Sequence, residues 1–297
     1  MSTVHTFHRH ADVGGLRIFY RESGPPEAPV LLLLHGFPSS SHQYVRLMAA
    51  LGTRFRLIAP DLPGFGHSDA PAAQSAGGTQ RYSFDELARW MDAFCEVLGL
   101  RRFVLYMFDY GGPVGMRMAE AHPERIAGLV VQNANAYDEG LSEMARGLAA
   151  QTPASPDGAQ FVRGILTADI TRSQYLIGAH RPEQVSPDGW TLDQHFLDLP
   201  GRAAIQVELA LDYHSNLALY PKWQAWLRAH RPPALILWGR NDPFFLEAGA
   251  HAYLRDLPDA QLHLFETGHF ALEECLAEIA PLVAAFAARV EGAGQGR

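Results

Sequence analysis

Three ionisable residues each follow closely on a short apolar run of the sequence. Asp109 lies in the segment MFDYGG (107–112), Asp242 in WGRNDP (238–243) and His269 in TGHF (267–270). The apolar runs before them have the length and composition of buried strands. Catalytic groups of open α/β sheets gather at the carboxyl ends of strands, so the pattern predicts that these side chains share one site.

An aspartate, a second aspartate and a histidine indicate a particular chemistry. A carboxylate is ionised at neutral pH, so it can displace a leaving group from saturated carbon without a base, leaving an alkyl ester on Asp109. His269 would then deprotonate the water that hydrolyses the ester, while Asp242 fixes the imidazole tautomer. The substrate predicted in this way has an sp³ carbon that bears an oxygen or a halogen.

The composition excludes several other classes of protein. The 297 residues are 47% apolar and 19% charged, which suits one large α/β domain with an insertion or two smaller domains. A net charge of −8 without any run of Lys and Arg argues against nucleic-acid and anionic-membrane partners. The longest wholly aliphatic run, Val30–Leu34, is far shorter than a membrane span, and residues 1–15 lack the apolar core of a signal peptide. Cys95 and Cys275 make no disulfide framework, and we expect a soluble cytoplasmic protein.

Alternating strand and helix signals surround the three residues. A capping box of Ser83 and Glu86 predicts the start of a helix over 84–98, which Gly99 ends. Further helices are predicted over 113–122 and from 271 to about 290. Apolar runs predict strands over 16–21, 30–35, 56–60, 103–108, 126–132, 234–238 and 261–265. This alternation indicates a mostly parallel sheet that is covered by helices on both faces.

The strand signal disappears in the middle of the chain. From about residue 135 to about 231 the sequence is rich in Pro, Asp, Gln, Trp and Tyr and has no clear strand. We therefore predict a core formed by residues 1–134 and 232–297 and a helical cap formed by residues 135–231.

The motifs together resemble the alpha/beta-hydrolase superfamily, in its branch with an aspartate nucleophile, which contains epoxide hydrolases and haloalkane dehalogenases. The chain order of Asp109, Asp242 and His269 is the order of that family. The segment HGFP (35–38) looks like the HGxP motif of epoxide hydrolases, and DLPGFGHS (61–68) looks like the loop that follows it. The resemblance implies an oxyanion hole from the backbone N–H groups of Phe37 and Tyr110, and a cis bond before Pro38.

Epoxide hydrolases stabilise the departing oxygen with tyrosine hydroxyls of the cap. The segment DYHSN (212–216) looks like the motif that carries one of them, which makes Tyr213 the candidate. Tyr175 is the candidate for its partner. The family usually has that partner earlier, near residues 150–160, where this chain has no tyrosine.

Haloalkane dehalogenases stabilise the departing halide with the tryptophan that follows the nucleophile, a position that Tyr110 occupies here. Met107 nevertheless resembles some dehalogenases more than typical epoxide hydrolases. Fluoroacetate dehalogenases bind a carboxylate through arginines one and four residues after the nucleophile. Tyr110 and Pro113 stand at those positions, which disfavours a small haloacid substrate.

We expect an apolar pocket between cap and sheet, with Phe37, Tyr110, Trp190, Phe244 and Phe245 as candidate lining residues. The histidines show no metal-binding spacing, and the glycines at 64 and 66 do not complete a dinucleotide fingerprint, so no metal and no cofactor are predicted. The expected partners are water and a small apolar to moderately polar organic substrate, and the protein is expected to be a monomer or a homodimer.

The sequence favours conversion of epoxides to vicinal diols, and leaves three alternatives. The first is a haloalkane dehalogenase. The second is an ester or lactone hydrolase, and the third is a non-catalytic binding protein of the same fold. Binding proteins of this kind commonly lose the acid or the histidine, whereas this chain has both.

Overall fold

An eight-stranded sheet runs through the computed structural model, which describes residues 4–294. Its strands are β1 (Thr6–Val13), β2 (Leu16–Ser23), β3 (Val30–Leu34), β4 (Arg56–Pro60), β5 (Phe103–Phe108), β6 (Ile126–Gln132), β7 (Ala234–Gly239) and β8 (Gln261–Phe265). They lie in the order β1-β2-β4-β3-β5-β6-β7-β8. Strand β2 is antiparallel to both of its neighbours, and the other pairs are parallel. The mostly parallel sheet that the sequence predicts is confirmed.

Helices cover both faces of this sheet and its carboxyl edge. They are α1 (Val45–Leu51), α2 (Phe84–Val97), α3 (Gly111–Ala121), α4 (Glu143–Ala149), α5 (Gly158–Ile165), α6 (Ala168–Leu176), α7 (Pro187–Leu197), α8 (Arg202–Asp212), α9 (His214–His230), α10 (Glu247–Asp256) and α11 (Ala271–Gly294). Among residues 4–294, no helix combines the length and the apolar character that crossing a bilayer requires.

The central strands are apolar along their whole length because both of their faces are buried. Every residue of β5, β6 and β7 is buried, and one hydrophobic cluster lies on each face of the sheet. Such strands give the continuous apolar runs of a covered parallel sheet rather than an alternating pattern. This is why the sequence predicts them correctly.

Helix α2 starts at the predicted cap, Ser83, with one of the two hydrogen bonds of a capping box. The Ser83 hydroxyl accepts a hydrogen bond from the backbone N–H of Glu86 at 3.2 Å, and the helix ends at Val97, two residues before Gly99. The capping interaction satisfies one of the backbone donors that a helix leaves free at its start.

The sequence prediction missed the first strand. Strand β1 is an edge strand whose residues from Phe7 to His10 are exposed, so it lacks the apolar alternation that would indicate a strand. It is paired through its whole length with β2, and Arg9 forms an ion pair with Glu22 at 2.9 Å. Helices α1 and α10 were also not predicted.

Between β6 and β7 the described chain forms helices α4 to α9 and two short 3-10 turns, without a strand. This helical segment lies over the carboxyl edge of the sheet, where its residues line a cavity together with residues that follow β3, β5, β7 and β8. The predicted absence of strands from about residue 135 to about 231 is confirmed.

Helix α8 attaches the helical segment to the rest of the molecule. Arg202 donates to the backbone carbonyls of Gly66 and Ser68 at 3.1 and 3.0 Å. Two turns further on, the Glu208 carboxylate accepts from the backbone N–H of Tyr82 at 2.9 Å, and Asp212 accepts from that of Phe84 at 2.9 Å. These contacts along one helix fix where its cavity-facing residues lie relative to the sheet.

Candidate active site

The turn from β5 into α3 holds Asp109 in an unusual backbone conformation. Its φ is +48°, in the left-handed region that L-residues other than Asn and Asp rarely adopt. A Cβ on Gly111 would lie 2.3 Å from the carbonyl oxygen of Leu34, and a Cβ on Gly36 would lie 2.3 Å from the Asp109 side chain. Only glycine fits at these two positions, since the turn passes directly against the end of β3.

The two oxygens of the Asp109 carboxylate have different surroundings. Oδ1 accepts a hydrogen bond from the backbone N–H of Phe37 at 2.6 Å, and the backbone N–H of Tyr110 also binds this carboxylate. Oδ2 lies 3.7 Å from Nε2 of His269. One oxygen is therefore bound by Phe37, one of the two donors that the resemblance implies as an oxyanion hole, while the other lies close to the histidine.

A buried histidine supports the loop that provides the Phe37 donor. Nε2 of His35 accepts from the backbone N–H of Leu62 at 2.9 Å, and its Nδ1 lies 2.9 Å from the carbonyl oxygen of Gly36. These partners require a neutral ring with its proton on Nδ1, and burial lowers the pKa of His35. The Phe37–Pro38 peptide bond is cis, as the resemblance implies.

Asp242 holds His269 through a short hydrogen bond. Its Oδ2 lies 2.7 Å from Nδ1 of His269 and also accepts from the side-chain amide of Asn133 at 2.7 Å. Its Oδ1 accepts from the backbone N–H groups of Phe244 and Phe245 at 2.8 and 3.2 Å. With its oxygens bound in this way, the carboxylate fixes the imidazole with Nε2 directed to Asp109.

Asn133 supports Asp242 but is not among the residues predicted from the sequence. It directly follows β6 with a φ of +42°, and its Oδ1 accepts from the backbone N–H of Gly239 at 3.0 Å. A polar residue directly after a buried strand was the available signal, the same signal that led to Asp109.

Burial and charge set the protonation of the pair. Burial raises the pKa of Asp109 to about 6, against the opposing effect of His269 and of the two backbone donors. Burial alone lowers the pKa of His269, but the charge and hydrogen bond of Asp242, together with the charge of Asp109, raise it above its usual value. At neutral pH Asp109 is therefore a carboxylate that faces an imidazole with an increased affinity for a proton.

A cavity of about 320 Å³ opens in front of Asp109 and His269, between the sheet and the helical segment. Of the residues predicted for the pocket and the oxyanion hole, Phe37, Tyr110, Phe244 and Phe245 line it, and so does Tyr213. The other walls come from helices α4, α5, α6 and α8 and are mostly apolar. The residues that contribute there are Met144, Ala145, Leu148, Phe161, Val162, Ile165, Leu166, Ile170, Ser173, Gln174, Ile177, Gln206 and Ala210.

Tyr213 lies in the wall that the helical segment provides. Its ring lies 6.0 Å from that of Tyr110, and the residue lines the cavity together with Asp109 and His269. Burial raises its pKa well above the usual value for tyrosine, so the phenol is protonated and available as a donor.

The prediction for Tyr175 and Trp190 is not supported by the structure, which gives these residues a different place. The Tyr175 hydroxyl donates to Oδ2 of Asp193 at 2.5 Å, and its ring stacks on Phe270 with centroids 3.8 Å apart. Trp190 packs against the Tyr175 ring at 5.9 Å. Both belong to a small separate hydrophobic cluster, and it is Gln174, one residue before Tyr175, that faces the cavity from α6.

The cavity residues that α4, α5 and α6 contribute are not among those predicted from the sequence. Several of them are large apolar side chains with unusual exposure, namely Met144, Phe161, Ile170 and Ile177. Exposed large apolar residues grouped around one opening are typical of a ligand entrance. In the sequence, single residues of this kind give no such signal, because it arises only when the helices bring them together.

Within the described part of the chain, no group of three or more His, Cys, Asp or Glu side chains is arranged so that it could hold a metal ion.

Comparisons with known proteins show which family this chain belongs to. The sequence profile of the family described as alpha/beta hydrolase fold matches residues 29–275. An uncharacterized hydrolase of Saccharomyces cerevisiae is 39% identical over 280 residues, which cover 92% of this chain and 94% of that protein. A haloalkane dehalogenase of Psychrobacter cryohalolentis is 28% identical over 283 residues, with coverage of 91% and 87%. The structure of the epoxide hydrolase CorEH superposes with a TM-score of 0.76 at 19% identity, covering 96% of this chain and 100% of the other.

The charge of Asp242 makes a testable contribution to the site. In an Asp242→Asn variant, the pKa of His269 should fall, because burial would no longer be opposed by the nearest carboxylate. A pH titration of the histidine ring protons by NMR measures this, with the His269 signal assigned from its absence in His269→Gln. Asp198→Asn, an exchange at an exposed position of the helical segment, is the control. An unchanged His269 pKa in Asp242→Asn would contradict the assigned role of Asp242.

Proposed function

This chain belongs to the alpha/beta-hydrolase family, close to the haloalkane dehalogenases and epoxide hydrolases, and we propose that it is a cofactor-free hydrolase that forms an alkyl ester on Asp109. Its preferred substrates are epoxides, which it converts to vicinal diols. Residues 1–134 and 232–297 act as the catalytic core, and residues 135–231 act as a cap that provides the opposite wall of the cavity.

One observation carries the proposal. A buried carboxylate faces an apolar cavity, with one oxygen 2.6 Å from a backbone N–H group and the other 3.7 Å from a histidine that is itself bound to a second carboxylate. A serine at this position would need the histidine to remove its proton. A carboxylate has no proton to lose, so the histidine is free to act in a later step.

In the first step Oδ2 of Asp109 attacks a carbon of the epoxide ring. The carbon–oxygen bond of the ring breaks, and the departing oxygen takes a proton from the Tyr213 hydroxyl, which is the donor on the opposite wall. The alkoxide is a much stronger base than a phenolate, so this transfer is favourable even though burial raises the pKa of Tyr213. The product is a hydroxyalkyl ester of Asp109.

In the second step His269 removes a proton from a water molecule, and the resulting hydroxide attacks the carbonyl carbon of the ester. Negative charge develops on Oδ1, which accepts from the N–H group of Phe37, and the N–H group of Tyr110 is a second donor to this carboxylate. When the intermediate collapses, the bond between the former carbonyl carbon and Oδ2 breaks, and Oδ2 leaves with the substrate carbon chain as an alkoxide, which takes the proton of the hydroxyl group that came from water. This releases the diol and restores the carboxylate, and the proton held by His269 returns to the Tyr213 phenolate through solvent or substrate oxygens.

Ester formation itself prepares the histidine for this role. The negative charge of Asp109 is one of the causes that raise the pKa of His269. When Asp109 becomes a neutral ester, that contribution disappears while the burial of the ring remains. His269 then loses its proton more readily and is available as a neutral base at the stage where a base is needed.

The donors that face the cavity favour an oxygen leaving group. Tyr213 supplies an O–H group, whereas Tyr110 follows the nucleophile where dehalogenases have the tryptophan that binds halide. An alkoxide needs a proton, which a phenol can give, while a halide ion needs only N–H or similar donors.

Haloalkane dehalogenation is the second candidate. The relative from Psychrobacter cryohalolentis is named a haloalkane dehalogenase, and the cavity is mostly apolar, which suits an unfunctionalised alkyl chain. Both reactions share the ester on Asp109 and differ only in what leaves.

The ester should accumulate when its hydrolysis is blocked. Intact mass spectrometry of a His269→Gln variant, incubated separately with 1,2-epoxyhexane and 1-bromohexane, should show an adduct equal to the whole epoxide mass. An adduct of the bromide minus HBr would instead establish dehalogenation. The double variant Asp109→Ala, His269→Gln is the control and should give no adduct. A folded His269→Gln protein that forms neither adduct would contradict the alkyl-ester mechanism.

The rate of adduct formation should depend on the ionisation of Asp109. Burial raises its pKa to about 6 in the unsubstituted protein, and His269 opposes that shift. In His269→Gln the opposing charge is lost, so the midpoint should lie above about 6, with full rate at higher pH and loss of rate as pH falls. The rate of mass change between pH 5 and pH 9 measures this. A rate that stays constant down to pH 5 would exclude a buried carboxylate as the nucleophile.

Tyr213 should matter more for an epoxide than for a halide. Tyr213→Phe should lower kcat/KM for 1,2-epoxyhexane about 100-fold or more, since a positioned general acid contributes at least this much, and leave any debromination within about tenfold. Tyr175→Phe is the matched control, because its hydroxyl binds Asp193 away from the cavity, and it should retain epoxide hydrolysis. Equal losses in both variants would rule out a specific role of Tyr213 in leaving-group protonation.

A further inference from the structure

Residues 177–181 of the helical segment, which we call the α6–α7 link, pack against the loops that carry Asp242 and His269. The link joins α6 to the 3-10 turn that precedes α7. The residue before His269 is Gly268, and a Cβ at this position would lie 2.2 Å from the carbonyl oxygen of Ile177. The backbone of the link therefore passes so close to the histidine loop that no side chain fits between them.

The α6–α7 link also contacts the loop of the second carboxylate. The side-chain amide of Asn241, the residue before Asp242, donates to the carbonyl oxygen of Gly178 at 3.3 Å. A Cβ on Gly178 would lie 2.2 Å from the backbone carbonyl oxygen of Asn241. The link thus contacts the residue that precedes each of the two groups on which the proposed ester hydrolysis depends.

The carboxylate of Glu274 binds both the α6–α7 link and the histidine loop. Glu274 lies in the first turn of α11, five residues after His269. Its Oε1 accepts from the backbone N–H of Arg181 at 2.6 Å, and its Oε2 accepts from that of His180 at 3.2 Å. Oε2 also accepts from the hydroxyl group of Thr267, which is buried two residues before His269.

These contacts make Glu274 the meeting point of three parts of the molecule. Hydrogen bonds to a carboxylate are stronger than those between neutral groups. Thr267 is bound on its other side as well, since its backbone carbonyl accepts from the backbone N–H of Asn241 at 3.1 Å. One side chain therefore connects the helical segment to the loop of His269 and, through Thr267, to the loop of Asp242.

We propose that Glu274 is a positioning residue for His269, which makes the action of this base depend on the contact with the α6–α7 link. When the link binds the carboxylate, Glu274 fixes Thr267 and the turn that places Nε2 of His269 3.7 Å from Asp109. The ester is then hydrolysed fastest when the helical segment lies closed over it. This inference rests on the proposed alkyl-ester chemistry and adds a control of its second step.

The two chemical steps should respond differently when this contact is lost. In the first step Asp109 attacks as a carboxylate, and His269 removes no proton. In the second step His269 is the base, and a base must lie within hydrogen-bond reach of the proton that it removes. A displaced imidazole therefore slows ester hydrolysis more than ester formation.

Rapid mixing, acid quench and intact mass spectrometry separate the two steps. The unsubstituted protein and Glu274→Ala are each mixed with 1,2-epoxyhexane, and in parallel with 1-bromohexane. The rise and plateau of the esterified fraction give both rate constants. Glu274→Ala should lower the rate constant of hydrolysis about tenfold, which is the effect of losing one hydrogen bond to a charged group, and leave that of ester formation within about twofold.

Two further exchanges at α11 show whether the carboxylate itself is responsible. Glu274→Gln keeps one acceptor oxygen and should lose less of the hydrolysis rate than Glu274→Ala. Glu278→Ala, at an exposed position one turn further along the helix, is the matched control and should change neither step.

Thr267→Val tests the path from Glu274 to the histidine loop, because it removes the hydroxyl group and nearly preserves the shape of the side chain. Alone, it should slow ester hydrolysis several-fold. In the Glu274→Ala background it should add little, since the two groups form one interaction. Losses that multiply in the double variant would overturn this path.

The Nδ1 proton of His269 gives a measurement that needs no turnover. It lies in the 2.7 Å hydrogen bond to Asp242, and proton NMR follows its exchange with water. In Glu274→Ala the exchange should be several-fold faster, because the imidazole is held less firmly.

Unchanged hydrolysis in Glu274→Ala, or equal slowing of both steps, would overturn the positioning role and leave the ester chemistry intact. Absence of an ester in every protein, His269→Gln included, would instead overturn the ester chemistry. The exchange of the His269 proton would then decide the positioning role by itself, with an unchanged rate overturning it.

Discussion

The structure depends on holding one ionised carboxylate where water is largely excluded. Burying a carboxylate is costly, and at Asp109 the cost is visible as a pKa raised to about 6. Backbone N–H groups of Phe37 and Tyr110 and the nearby His269 offset it only in part. A carboxylate whose charge is incompletely compensated is a better nucleophile than one in water, so in the proposed mechanism the burial that costs free energy also supplies the reactivity.

The parallel strands bring together the groups that surround this carboxylate. The donor loop follows β3, the carboxylate follows β5, and the acid and the histidine follow β7 and β8, so all four meet at one edge of the sheet. The left-handed turn at Asp109 depends on glycines at 36 and 111, where any side chain would collide with the neighbouring loop or strand. The helical segment then closes the site from above through the contacts of α8, which determine the shape of the cavity.

The strands and site residues of the core could be predicted from the sequence more fully than those of the helical segment, for a physical reason. Buried parallel strands are apolar throughout and end at polar residues, so the pattern that predicts a strand also predicts where Asp109, Asp242 and His269 lie. In a helix the side chains turn around the axis, so those of neighbouring residues point about 100° apart. On α6 this difference decides that Gln174 faces the cavity while Tyr175 faces Asp193. To tell which of two adjacent residues faces the cavity, one must know how the helix packs, and the amino-acid composition of the helix does not show this.

The two halves of the site therefore constrain the reaction to different degrees. The edge of the sheet contains what every alkyl-ester mechanism needs, namely a carboxylate, its oxyanion donors and an oriented base. These groups do not distinguish between leaving groups, because the carboxylate would displace an oxygen and a halogen from carbon by the same attack. The helical segment provides Tyr213, which lines the cavity and gives the proposed reaction its proton donor. A wall built only to hold a halogenated alkane would not need a phenol at this place, so under the proposed mechanism the helical segment, rather than Asp109, selects the leaving group.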